Sequence, residues 1–88
     1  MIEKKVTEYA KKLGWLAYKF VSPSNRGVPD RLYIKSGKVI FIEFKAPGKK
    51  PTALQTKILK QINDQSVPAY VIDDIATGEE LFNGIQTT

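Results

Sequence analysis

Residues 30–45, DRLYIKSGKVIFIEFK, decide the fold of this 88-residue chain. Two runs of strand-forming side chains, 30–35 and 38–45, flank Ser36-Gly37, a pair that favours a tight turn. The stretch therefore predicts a β-hairpin. If the turn is a two-residue loop, Lys35 pairs with Lys38, and the same register sets Asp30 directly opposite Glu43.

The apolar pattern of the hairpin supports this register. One face then carries Asp30, Leu32, Ile34, Val39, Phe41 and Glu43, and the other carries Arg31, Tyr33, Lys35, Lys38, Ile40 and Ile42. A slip of one residue would move the side chains of one strand to the opposite face, which would mix the apolar sets and separate the two carboxylates. Lys45 lies two residues beyond Glu43 and projects from the same face.

The rest of the chain alternates helical and extended patterns. Apolar spacing predicts a helix over 2–13, ended by Gly14, and a strand over 15–21. Further elements are a helix from Thr52 to about Gln65 with the apolar stripe Leu54, Ile58 and Ile62, a strand over 69–72, and a helix from Asp73 or Asp74 to about Phe82 with Asn83-Gly84 as its stop. This order, α-β-β-β-α-β-α, predicts an α/β fold with a mixed β-sheet flanked by helices. If the last two strands share a sheet, they are parallel and the helical crossover that joins them is right-handed. We expect one domain over 1–88.

Composition limits the chemistry of the chain. It has no cysteine and no histidine, which excludes thiolates, disulfides and imidazole as nucleophile, base or ligand. A metal would be held by oxygens, which favours Mg²⁺ or Mn²⁺ over zinc. The net charge is +5, and all 14 Lys and Arg residues lie in 1–60. This basic balance predicts a polyanionic partner. No stretch approaches the ~18 apolar residues of a membrane span, and we expect a cytoplasmic protein.

Two facing carboxylates repel one another unless a cation lies between them. Asp30 is alternatively a turn residue after Pro29. Glu43 lies in an apolar run that should be buried, so it needs either a structural ion pair with Lys45 or Lys19, or a metal. Lys45 is alternatively a solvated strand-end lysine. Two acids, a lysine and a metal together indicate phosphodiester hydrolysis, in which the lysine orients water and stabilises phosphate charge.

Other candidate site residues lie outside the hairpin. Glu3 could reach the metal through water, or serve as an acid favoured by the helix dipole. Gln55 completes a capping box with Thr52, a role that is compatible with a second one in the site. The candidate phosphate-binding residues are Lys19, Arg26, Lys49 and Lys50, each of which is alternatively a solvated side chain.

The pattern resembles the PD-(D/E)xK nuclease superfamily, with its restriction-endonuclease-like core, and more narrowly a stand-alone VRR-NUC domain. The matching stretches are Glu3, 18–20, 26–30, 41–48 and 51–55. The resemblance implies that Asp30, Glu43 and the main-chain carbonyl of Phe44 bind Mg²⁺ or Mn²⁺. It implies that Lys45 is the catalytic lysine, with Glu3 and Gln55 as accessory residues.

Small members of that family look like phage or bacterial enzymes that form homodimers and resolve four-way DNA junctions. We therefore expect a metal-dependent, structure-selective DNA endonuclease in a bacterial cell or phage-infected host. Alternatives are a nuclease that acts on flaps, nicks or duplex DNA, a basic nucleic-acid-binding module without catalysis, and a structural basic protein. Candidate dimer surfaces are Trp15, Phe20 and the last helix with Leu81, Phe82 and Ile85, residues that alternatively complete the core.

Overall fold

The computed structural model describes residues 1–85. The last three residues of the predicted single domain, 86–88, lie outside the described residues. In chain order the elements are α1 (Ile2–Lys12), β1 (Leu16–Lys19), β2 (Arg31–Lys35), β3 (Lys38–Phe44), α2 (Ala53–Asp64), β4 (Ala69–Ile72) and α3 (Ile75–Gly84). This is the predicted α-β-β-β-α-β-α order, and it forms a four-stranded mixed sheet with strand order β1-β2-β3-β4.

The hairpin adopts the predicted register. Lys35 pairs with Lys38 across the turn, and Arg31 pairs with Ile42 at the far end. Ser36 and Gly37 both have positive φ, 51° and 80°. Positive φ at both central residues defines a type I′ turn, whose twist matches that of the flanking strands. β1 adds antiparallel to β2, and β4 adds parallel to β3, as the crossover predicted.

The helices divide unequally between the two sides of the sheet. α1 and α3 cover one side and bury the core residues Val6, Ala10, Trp15, Tyr33, Ile40, Ile42, Ile72 and Phe82. Trp15 and Phe82 are 4% and 3% exposed and meet edge to face, so both belong to this core rather than to a free surface. α2 lies on the other side, where Leu59 is its buried residue.

Leu54, in the predicted apolar stripe of α2, is 44% exposed, and the loop at Gly27 packs against Leu54 and Ile58. One predicted detail of the helices is wrong. α3 continues through Gly84 instead of ending near Phe82. Its last turn is held by a contact that local sequence does not show: the Tyr9 hydroxyl of α1 donates to Asn83 at 2.7 Å.

No helix among residues 1–85 combines the length and the hydropathy that a membrane crossing would need.

Candidate functional site

Asp30 and Glu43 face each other at the end of the hairpin, as the register predicted. Asp30 directly precedes β2, and the next pair along the ladder is Arg31 with Ile42. The main-chain carbonyl of Asp30 accepts from the Phe20 N–H at 2.8 Å, so pairing with the β1 side extends to this position. Pro29 before it is fully buried. The carboxylate therefore projects from a backbone that is fixed on both sides.

The Asp30 side chain is tied to the backbone of β3. Its Oδ2 accepts a hydrogen bond from the Phe44 N–H at 2.8 Å. In an extended strand the N–H and C=O of one residue point to the same side. The next residue, Lys45, donates its N–H the other way, to the Ile72 carbonyl on β4. The Phe44 carbonyl is therefore directed toward the Asp30 side. This is the main-chain oxygen that the family resemblance implies as a metal ligand.

Glu43 is a buried carboxylate with one satisfied and one unsatisfied oxygen. The residue is 3% exposed. Its Oε2 accepts from the Gln55 amide at 3.1 Å and lies 3.5 Å from the Lys45 ammonium. Its Oε1 is buried and has no hydrogen-bond partner among residues 1–85. Burial raises the pKa of Glu43, and the nearby Asp30 carboxylate raises it further, against the opposing effect of Lys45.

Lys45 lies on the same face as the two carboxylates, as predicted. Its side chain is 19% exposed, so it is neither fully solvated nor fully buried. The ion pair with Glu43 that sequence reasoning offered as an alternative is present, although it uses only one carboxylate oxygen. The other alternative partner, Lys19, faces the opposite side of the sheet, because it pairs with Arg31.

Gln55 links the start of α2 to the site. Its side-chain carbonyl oxygen accepts from the Thr52 N–H at 2.9 Å, while its main-chain N–H donates to the Thr52 hydroxyl at 3.1 Å, which completes the predicted capping box. The amide nitrogen of the same side chain donates to Glu43. Capping and site contact thus occur together, and the capping box fixes the orientation from which Gln55 reaches the carboxylate.

Glu3 is placed beside the site but is engaged elsewhere. Its Oε2 accepts from Arg31 Nε at 2.6 Å. It also lines a cavity of about 330 Å³ together with Lys45. Its predicted water-mediated contact to a metal stays a prediction. Sequence reasoning missed Arg31 as a partner of Glu3. Arg31 follows Asp30 in the chain and projects from the other face of the sheet. This position was the signal in the sequence that could have identified it.

The four cations predicted to contact phosphate lie on three different segments of the chain. All are exposed: Lys19 lies at the end of β1, Arg26 in the loop before Pro29, and Lys49 and Lys50 in the loop after β3. That last loop is tethered to the end of β4, because the Gly48 N–H donates to Asp73 at 3.2 Å. Lys49 and Lys50 are therefore held on the chain segment that follows Lys45.

The donor atoms at the hairpin end fit a hard divalent cation. Among residues 1–85 no three histidine, cysteine or acidic side chains form a metal-binding group. The available set is therefore two carboxylates and a main-chain oxygen, with the remaining positions left to water and substrate, a common arrangement for Mg²⁺. Within the described part of the chain, the Lys45 ammonium pairs with Oε2 of Glu43 alone, so the buried Oε1 stays without a partner and the two carboxylates have one cation between them.

Comparison with known proteins supports the fold independently. No protein-family model matches the chain. A solved structure described as "VRR_NUC domain" superposes with a TM-score of 0.89 at 22% identity, covering 97% of this chain and 94% of that one. A second, "VRR_NUC domain protein", gives a TM-score of 0.76 at 16% identity over 93% of this chain and 82% of that one. The chain has the fold of the VRR_NUC domain, and the predicted resemblance is confirmed at that level.

One curated relative also matches in sequence. It is "Putative nuclease p44" of Acyrthosiphon pisum secondary endosymbiont phage 1, 56% identical over 57 residues. The match covers 64% of this chain and 61% of that protein, so this chain spans about three-fifths of the relative's length.

Proposed function

We propose that this protein is a metal-dependent DNA nuclease that hydrolyses phosphodiester bonds at the end of the β2–β3 hairpin. The observation that carries the proposal is the facing pair Asp30 and Glu43, in which the buried Oε1 of Glu43 has no partner among residues 1–85. A buried carboxylate oxygen without a partner is costly, and such groups are found at functional sites that require their charge. The nuclease description of the phage relative agrees with this assignment.

The proposed roles follow from the positions of the side chains. Asp30, Glu43 and the Phe44 carbonyl would hold Mg²⁺ or Mn²⁺, which when bound supplies Lewis acidity toward a phosphate oxygen and activates water. Lys45 would orient the attacking water and stabilise the negative charge that develops on the phosphate. Gln55 holds Glu43 in place through its amide. Glu3 would act as an accessory residue at the edge of the site.

The DNA would approach over the basic part of the chain. Lys19, Arg26, Lys49 and Lys50 are all exposed and would contact backbone phosphates. Contacts of this kind position the strand without reading its sequence. The proposal therefore favours selection by DNA structure over selection by base sequence.

The proposal extends to a homodimer that acts on four-way junctions in the cytoplasm of a bacterial or phage-infected cell. Two symmetry-related sites would make paired nicks in two strands. The α2 side of the sheet offers apolar side chains for contact between copies: Leu16 and Tyr18 are each 55% exposed. Light scattering at micromolar concentration tests this extension, and a strictly monomeric protein would contradict it.

A cleavage panel tests the activity itself. Purified protein is incubated with labelled four-way junction, flap, nicked and plain duplex DNA in Mg²⁺, Mn²⁺ or EDTA. We expect cleavage only with metal, and loss of about 10³-fold in rate for either Asp30→Ala or Lys45→Ala. The first removes a proposed metal ligand, and the second removes the cation that would stabilise charge on the phosphate. Lys60→Ala and Asp64→Ala are matched controls, because these residues form an exposed ion pair on α2.

The outcomes separate the alternatives. Preference for the junction supports the resolvase, whereas equal or faster cutting of flaps, nicks or duplex replaces it with another nuclease specificity. Cleavage by Asp30→Ala and Lys45→Ala at the wild-type rate would overturn the site. DNA binding without cleavage in either metal, together with no calorimetric Mn²⁺ binding that depends on Asp30 and Glu43, would favour a binding module.

A further inference from the structure

A second cleft lies on the opposite side of the sheet from the two carboxylates. It runs between α1 and the ends of β1 and β2, with a volume of about 470 Å³. Its charged lining residues are Lys4, Lys11, Lys19, Arg31, Glu3 and Glu8. Four cations against two carboxylates leave the cleft with a net positive charge. A concave, cationic surface raises the local concentration of a polyanion.

The cleft adjoins the proposed catalytic site. Arg31 follows Asp30 directly in the chain, and its cross-strand partner is Lys19. Successive residues of an extended chain point to opposite faces, so Asp30 and Arg31 direct their side chains to the two sides of one sheet end. Glu3 lines both this cleft and the smaller cavity that contains Lys45. The two depressions are therefore neighbours that share Met1 and Glu3 as lining residues.

The lysines of α1 have the spacing of a strand backbone. Lys4 and Lys11 are separated by two helical turns, or about 10 Å along the axis, and face the same side. One DNA strand carries a phosphate about every 3.4 Å of helix axis. The separation of the two residues along the helix thus corresponds to about three phosphate-to-phosphate intervals. Lys5 and Lys12 have the same separation but do not line the cleft.

Arg31 supplies the least exposed cation of the cleft. Its side chain is 18% exposed, and its Nε donates to Glu3. A guanidinium has five N–H donors. Within residues 1–85 the bond to Glu3 is the one hydrogen bond that the Arg31 side chain makes, so its terminal nitrogens keep donors for an incoming anion. A planar pair of donors suits a phosphate better than a mobile ammonium does.

We infer that this cleft binds backbone phosphates of the DNA strand that flanks the scissile bond, with Arg31, Lys4 and Lys11 as contacts. The inference rests on the proposed nuclease function, which supplies the substrate. The alternative is a solvated helix face, in which the lysines act only through the overall charge of the protein. The two readings differ in whether the position of a lysine on α1 affects binding, or only the number of charges.

A pair of double variants decides between them. Lys4→Ala with Lys11→Ala removes two charges from the cleft, and Lys5→Ala with Lys12→Ala removes two charges from the same helix outside it. Binding of a fluorescein-labelled DNA duplex is measured by anisotropy in EDTA at several salt concentrations. We expect the cleft double variant to weaken binding on the order of tenfold and to lower the salt slope by about 1.8, or about 0.9 per contact. The control double variant should bind nearly as the wild type does.

Two further measurements complete the test. Glu8→Gln removes an exposed negative charge from the cleft and should tighten binding. Thermal unfolding followed by circular dichroism checks that the lysine variants are folded, which is expected because alanine is a strong helix former. Equal weakening by both double variants, or weakening by neither, would overturn the inference.

Failure of this inference is distinguishable from failure of the proposed function. If the wild type cleaves DNA in Mn²⁺ and the two double variants bind alike, the cleft assignment is wrong and the nuclease assignment stands. If the wild type binds DNA through Lys4 and Lys11 but cleaves no substrate in either metal, the nuclease assignment is wrong and the cleft assignment stands.

Discussion

The two sides of the sheet differ in how completely the helices cover them. The side under α1 and α3 is closed and apolar, with Tyr33 and Ile42 fully buried and Phe82 packed edge to face on Tyr33. The side under α2 is half open. It carries the buried carboxylate of Glu43 and leaves Leu16 and Tyr18 more than half exposed.

The closed side therefore contributes mainly to stability, whereas the proposed catalytic residues lie on the half-open side. A closed apolar side gains free energy from burial and tolerates no unpaired charge. In the proposed nuclease the other side would have to admit DNA and a cation, which requires an opening and charges that the protein does not fully compensate. Because alternate residues of a strand serve opposite faces, β3 contributes to both through Ile42 and Glu43. One strand therefore supports the core and the site without either displacing the other.

The largest expected stability effect contrasts the two sides through their aromatic residues. Phe82→Ala should destabilise the protein by about 3–5 kcal/mol, because it leaves a cavity in the closed core. Tyr18→Ala, on the open side, should cost less than about 1 kcal/mol. Urea unfolding followed by circular dichroism measures both. If Phe82→Ala does not fold, the smaller truncation Phe82→Leu reports the same contact. Similar losses at Tyr18 and at position 82 would contradict the division between the two sides.

Gly78 and Gly84 sharpen the comparison within one helix. A Cβ at Gly78 would lie 2.5 Å from Cγ2 of Val6, where α3 presses on α1, whereas a Cβ at Gly84 meets nothing within 4 Å. Gly78→Ala should therefore destabilise the fold by about 1–3 kcal/mol through overpacking. Gly84→Ala should be neutral or stabilising, since alanine favours helix. Thermal unfolding of the two variants measures the difference, and a stabilised Gly78→Ala protein would show that the helices can separate freely.

The smallest expected effect is the pH dependence of the carboxylate on the open side. Burial and Asp30 raise the pKa of Glu43 above its ordinary value of 4.5. The folded state then binds the proton more tightly than the unfolded state does. The contribution of this group to stability is therefore most favourable at low pH, and falls as pH rises from 4.5 through the raised pKa.

Glu43→Gln removes this charge and nearly preserves the shape of the side chain. Without divalent metal, we expect the melting temperatures of the wild type and the variant to agree near pH 4.5. At neutral pH the variant should melt a few degrees higher. Glu80→Gln, an exposed acid on α3, is the control and should show no such divergence. Parallel curves for wild type and Glu43→Gln across this range would show that the buried carboxylate carries no unfavourable charge.

Much of the fold could be predicted from local patterns. The Thr52 capping box located the start of α2, and the turn at Ser36-Gly37 set the hairpin register. Local patterns did not show the contacts where distant segments meet. The Gly27 loop packs against Leu54, and Tyr9 holds the end of α3 through Asn83. Neither contact leaves a periodic signal in the sequence, because its two partners lie in different elements.

The sequence by itself determined that Asp30 faces Glu43 and that Lys45 shares their side, because a two-residue turn and the period of two leave one consistent register. Tertiary structure alone decided that Gln55 reaches Glu43, that one oxygen of Glu43 lies buried without a partner, and that Glu3 pairs with Arg31. It also decided that α1 and the ends of β1 and β2 enclose a cationic cleft. Those features depend on how helices dock on the sheet, and docking is set by the shape and packing of whole faces rather than by the spacing of residues along the chain.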